Sequence, residues 1–99
     1  MSDAYRILPL AQADLFSTWL YLSERAGLEI ALRMERRFYR AFEQLAQQPY
    51  AGHSRDDLTP LPLRFWSVPP YLVVYRPDPL PIRIMRVLDG RRDLQRILG

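Results

Sequence analysis

Cysteine and lysine are both missing from this 99-residue chain, histidine occurs once and glycine four times. Without cysteine there is no disulfide framework and no thiol nucleophile. One histidine and no thiolate leave a transition metal without a ligand set, and Asp56 and Asp57 lack the spacing of a calcium loop. No metal or other cofactor is therefore expected. The few glycines form no phosphate-cradling loop, and no nucleophile motif is present. No stretch approaches the roughly 20 apolar residues of a membrane span, and nothing near Met1 joins a basic segment to an apolar run. The expectation is a cytoplasmic protein without a membrane partner.

Apolar residues make up 48% of the chain and twelve residues are aromatic, enough to build a core without a metal or disulfide. The length fits one domain over residues 1–99. All fourteen basic side chains are arginine, and the net charge is +3. Arginine presents a planar, permanently charged fork suited to carboxylate, phosphate or stacked bases, so an acidic partner or a nucleic acid is favoured.

Tyr5 to Leu8, bounded by Pro9, is long enough for a strand and too short for a helix. Ala11, Leu15, Trp19, Leu22 and Ala26 then recur at helical spacing up to Gly27. A longer helix follows, with Ala31, Met34, Phe38, Ala41, Phe42 and Leu45 on one stripe and Pro49 as its stop. The short link at Gly27 predicts an antiparallel helical hairpin that buries its aromatic stripe. Residues 50–62 have loop composition and are expected to be mobile, with His53 a surface residue rather than a general base. Prolines cut the remainder into strand-sized intervals at 63–68, 71–76 and 82–88, whose short connections predict an antiparallel meander. The tail from Arg91 to Leu98 is suited to one or two helical turns.

These late strands carry Arg64, Arg76, Arg83 and Arg86. Strict alternation puts Arg86 on one face with Ile82, Ile84 and Leu88, and Arg83 on the other with Met85 and Val87. An arginine among apolar neighbours needs a carboxylate or a ligand, and Asp89 and Asp93 are nearest in sequence. The segment Asp89-Gly90-Arg91-Arg92-Asp93 is a turn in which backbone N–H groups and two guanidinium groups could meet an anion.

The order strand, helix pair, strands and arginine-rich turn resembles the RelE/ParE superfamily of toxins. The resemblance is carried by Ala13-Asp14-Leu15, Phe42 to Ala46 with Pro49 and Gly52, Leu63-Arg64, Tyr71 to Arg76, and Arg86 to Leu94, in that order. It covers nearly the whole chain and is closest to the ParE branch. It implies an α+β fold: an N-terminal strand, an antiparallel helical hairpin packed on an antiparallel sheet, and a short C-terminal helical segment. It further implies the toxin of a type II toxin–antitoxin system of the plasmid-stabilisation type, held inactive in a hetero-oligomer with a cognate antitoxin, ParD-like or of another class. Contact with DNA would come through that complex.

Two activities divide the superfamily, gyrase poisoning and ribosome-dependent cleavage of messenger RNA. Ribonuclease members use basic residues with a tyrosine or histidine near the C-terminus, and this chain has neither after Tyr75. The position after Tyr71 that carries a functional arginine in RelE-like members is Leu72. The resemblance therefore implies a protein-directed inhibitor of DNA gyrase rather than an enzyme. Its contact candidates are Arg64, Arg76, Arg86, Asp89, Arg91 and Arg92, with Asp89 standing where ParE-like proteins often have histidine. A ribonuclease using Arg64, Arg76 and Arg92 on phosphate and Asp89 or Tyr75 as base is the alternative. A non-toxic antitoxin-binding module is a further one.

Overall fold

In a computed structural model that describes residues 4–98, the first change of structure falls where the sequence places Pro9. Tyr5–Ile7 forms strand β1, and Pro9 opens helix α1 (Pro9–Arg25), where its missing N–H costs nothing and its fixed φ suits the helix. Leu8 occupies the cap position, and its N–H donates to the Ile84 carbonyl at 3.0 Å, tying the start of the helix to the sheet. The turn into α2 (Leu28–Gln47) puts Gly27 at φ 98°. A Cβ there would meet nothing within 4 Å, so glycine is needed for backbone conformation and not for space.

The proline-bounded intervals become β2 (Arg64–Val68), β3 (Tyr71–Arg76) and β4 (Ile82–Asp89), followed by α3 (Leu94–Leu98). These three strands form the expected antiparallel meander. β1 then joins the outer edge of β4 in parallel, so the four-stranded sheet is mixed, in the order β1-β4-β3-β2. The class is α+β, with the hairpin on one face of the sheet.

The stripe of α2 supplies most of that interface. Phe38, Phe42 and Leu45 are buried against Val73, Tyr75, Ile82 and Ile84, and the Phe38 ring meets Tyr71 edge-on at 5.4 Å. α1 contributes less than its sequence stripe promises. Only Ala11 is fully buried, Leu15, Trp19 and Leu22 are half-buried, and Ala26 is exposed. The opposite face of the sheet carries a second cluster, in which Phe65, Val74 and Leu88 are covered by Leu94 of α3 and by Leu58 and Leu63 of the long loop. That loop is pinned rather than loose. Leu58 and Thr59 are buried, and His53, its side chain exposed, pairs with Phe65 through both backbone hydrogen bonds. Among the described residues no helix is long and apolar enough to cross a membrane.

Strict alternation fails in β4. Val74 pairs with Arg86 but Tyr75 pairs with Ile84, which leaves Met85 as an extra residue in a β-bulge. Beyond the bulge the faces exchange. Val87, not Leu88, joins Ile82 and Ile84 beneath the helices, while Leu88 joins the second cluster. Arg86 is paired with Val74 of the second cluster.

Candidate functional site

The C-terminal part of β4 lies beside α1 because β1 is short. β1 pairs only with Ile82–Ile84, so the outer edge of β4 is open beyond that point. Asp14 of α1 fills the gap. Its Oδ2 accepts from the Val87 backbone N–H at 2.9 Å and from Arg86 Nε at 2.8 Å, and its Oδ1 accepts from Arg86 Nη2 at 3.0 Å. This is a bidentate fork with a third, backbone donor on the same carboxylate. The pair is largely shielded, the side chains of Arg86 and Asp14 being 24% and 14% exposed. The hydrogen bond to Asp14 pushes the Arg86 guanidinium pKa above its ordinary value. Neither Asp89 nor Asp93 is the partner of Arg86: Asp89 is taken by Arg91, and the guanidinium meets a carboxylate 72 positions earlier in the chain, beside the open edge of β4.

Asp89 closes the last turn. Its Oδ1 accepts from the Arg91 backbone N–H and from Arg91 Nε, both at 2.9 Å, and its Oδ2 accepts from Arg91 Nη2 at 2.6 Å. These hydrogen bonds to Arg91 hold the Asp89 carboxyl down to about 2. Gly90 N–H donates to the Pro70 carbonyl at 2.8 Å, and a Cβ on Gly90 would lie 3.1 Å from that oxygen, so the turn sits tightly against the β2–β3 connection. Asp93 accepts from the Arg96 N–H at 3.3 Å, inside the start of α3.

The two arginines of the turn thus separate. Arg91 is committed to Asp89, whereas Arg92 has no ion-pair partner among the described residues. Arg92 borders an open cleft of about 260 Å³ between α1 and the end of β4, together with Ser17, Tyr21, Tyr71 and Asp89. Burial, followed by the nearby Asp89 charge, raises the Tyr71 phenol pKa.

The remaining expected contacts lie elsewhere. Arg64, at the start of β2, donates to the Gly52 carbonyl at 2.6 Å and lies 4.9 Å over the Tyr50 ring. Gly52 in turn donates to the Tyr75 hydroxyl at 2.9 Å, and that hydroxyl donates to the Pro49 carbonyl at 2.7 Å. A Cβ on Gly52 would sit 2.6 Å from the Tyr75 oxygen, so only glycine fits. Tyr75 is completely buried, and burial raises its pKa. Its phenol is a bracket for the loop. Arg76 lies on the sheet face away from the helices, opposite Arg83 at the far end of the β3–β4 pair from the C-terminal turn.

Sequence reasoning gave Asp14 no role beyond a place in a family pattern. The signal was an acid on the flank of the apolar stripe, three residues after Ala11 and next to Leu15, where a half-buried carboxylate needs a donor.

A family model described as the ParE toxin of the type II toxin–antitoxin system parDE matches residues 5–94. The chain is 34% identical over 99 residues to the Caulobacter vibrioides protein named Toxin ParE3, covering all of this chain and 97% of that one. It also resembles a chain of the chromosomal ParDE TA system from P. aeruginosa, with TM-score 0.74, 22% identity, and coverage of 86% of this chain and 92% of that chain. At that identity the structural likeness is one of fold.

Proposed function

The chain belongs to the ParE toxin family of type II toxin–antitoxin systems, and from that membership we propose that a cognate antitoxin neutralises it and that DNA gyrase is its target. The observation that carries the choice of target is the commitment of Tyr75 and Asp89. A general base for RNA cleavage works best with a pKa near the operating pH. The Tyr75 phenol is buried between Pro49 and Gly52, and the Asp89 carboxyl is held at about 2 by Arg91. Both residues therefore support a surface that binds over one that cleaves. Arg92, with the cleft beside it, is the contact available to a protein target, while Arg86 acts by fixing β4 to α1.

The antitoxin reading draws on the outer surface of the hairpin. Phe16 is 64% exposed and, with Ile7, Leu15, Trp19 and Tyr39 and the polar Gln12 and Glu35, lines an open groove of about 560 Å³. Exposed apolar surface of this kind suits the apolar face of an amphipathic segment.

The test is controlled expression without antitoxin, following DNA-damage signalling and translation in parallel through the first minutes of arrest. Early damage signalling with translation intact is expected, delayed or abolished in Arg92→Ala. Early translation arrest with cleaved messages would overturn the gyrase reading in favour of a ribonuclease. Absence of any arrest from folded protein would leave an antitoxin-binding module.

A further inference from the structure

Arg6, Arg83 and Arg76 are register partners across three adjacent strands, Arg6 opposite Arg83 in β1–β4 and Arg83 opposite Arg76 in β3–β4. Their chain neighbours Tyr5, Ile7, Ile82, Ile84 and Tyr75 all pack beneath the helices, so the three guanidinium stems share the other face. Adjacent strands are about 4.8 Å apart, so the row spans roughly 10 Å. Like charges directly opposite one another destabilise a sheet. Nothing offsets them here: none of the three has an ion-pair partner among the described residues. Arg76 is partly exposed and its Nε is buried and makes no hydrogen bond, so what it can offer a ligand is the outer end of the guanidinium. Arg6 is exposed, and Arg83 and Arg76 are half-buried.

We propose that Arg6, Arg83 and Arg76 form a binding row for the phosphodiester backbone of a nucleic acid. A guanidinium fork meets a phosphate bidentately, and a bridging chain of phosphates would cancel the repulsion along the row. The row runs across the strands rather than along a sheet edge. A peptide laid on it would gain no main-chain ladder, whereas a phosphodiester chain offers an anion at every residue. This inference goes beyond the proposed target and stands whether or not gyrase is that target.

Fluorescence anisotropy with the full chain tests it, using a labelled 20-base-pair DNA duplex, single strands of DNA and RNA of the same length, and a polyglutamate peptide. Replacing all three arginines by glutamine should weaken binding to the preferred nucleic acid by tenfold or more at about 0.1 M salt. It should also flatten the duplex plot of log affinity against log salt by about 2.7, three phosphates at roughly 0.9 each. Arg36→Gln, on the exposed side of α2, should change neither quantity. Preference among the nucleic acids identifies the source of the backbone. Unchanged affinity and slope in the triple variant would overturn the proposal, and so would parent protein that binds no nucleic acid. Row-dependent binding of polyglutamate alone would replace it with an acidic protein partner. Thermal melting guards against misfolding: the single variant Arg83→Gln, which keeps the aliphatic stem, should melt no lower than the parent while losing affinity.

Discussion

Two arginines three residues apart in β4 have opposite electrostatic settings. Arg86 lies in a shielded fork with Asp14, and the same carboxylate takes the Val87 N–H. Arg83 stands between two further arginines without a carboxylate partner among the described residues. The bulge at Met85 separates these halves of the strand. Arginine content therefore says little about role. A paired arginine fixes a strand to a helix, and an unpaired one opposite its own kind leaves its charge uncompensated among the described residues.

The largest expected effect comes from breaking the paired half. Asp14→Ala leaves the Arg86 guanidinium shielded without its carboxylate and the Val87 N–H without an acceptor, and should cost about 3 kcal/mol in urea unfolding. Pairing that variant with Arg86→Ala in a double-mutant cycle should give a coupling of about 1 to 3 kcal/mol. A coupling near zero would mean that solvent screens the fork and that the two halves differ less than their geometry implies.

The unpaired half should respond with the opposite sign. Arg83→Gln removes the middle charge of the row and should raise stability by a few tenths to about 1 kcal/mol, measured in the same unfolding series. A loss of stability instead would show that the row is held by contacts within the protein.

The smallest effect belongs to the turn. The folded Asp89 pKa of about 2 lies below its ordinary 3.8. Folding thus favours the carboxylate, and its contribution is present above about pH 4 and lost as pH falls through about 2. Asp89→Asn should flatten the stability profile over that interval, seen in acid titrations of the melting temperature. The effect is slight because its partner Arg91 is 74% exposed.

Much of the fold was legible. Proline positions bounded the strands, the spacing from Ala31 to Leu45 marked the buried side of α2, and Gly27 marked the hairpin turn. The stripe on α1 was legible but overstated, because that helix leaves Leu15, Trp19 and Leu22 half-buried and Ala26 exposed. The site was read less well. The turn from Asp89 to Asp93 was found, and its internal pairing of Asp89 with Arg91 is local enough to be anticipated. The division of labour between Arg91 and Arg92 was not, and Arg83, placed on a strand face, was like Arg6 not among the contact candidates, because a row across strands has no trace in linear order.

By itself the sequence determined what depends on neighbours in the chain: which segments are helical, where the strands stop, how many arginines there are, and the family pattern they follow. Only the tertiary structure decided which arginines are spent. That outcome turns on the parallel docking of β1 on β4, on one bulged residue, and on an aspartate 72 positions away. Such pairings are set by packing and by the need to satisfy donors at an open strand edge, and neither is encoded in local periodicity.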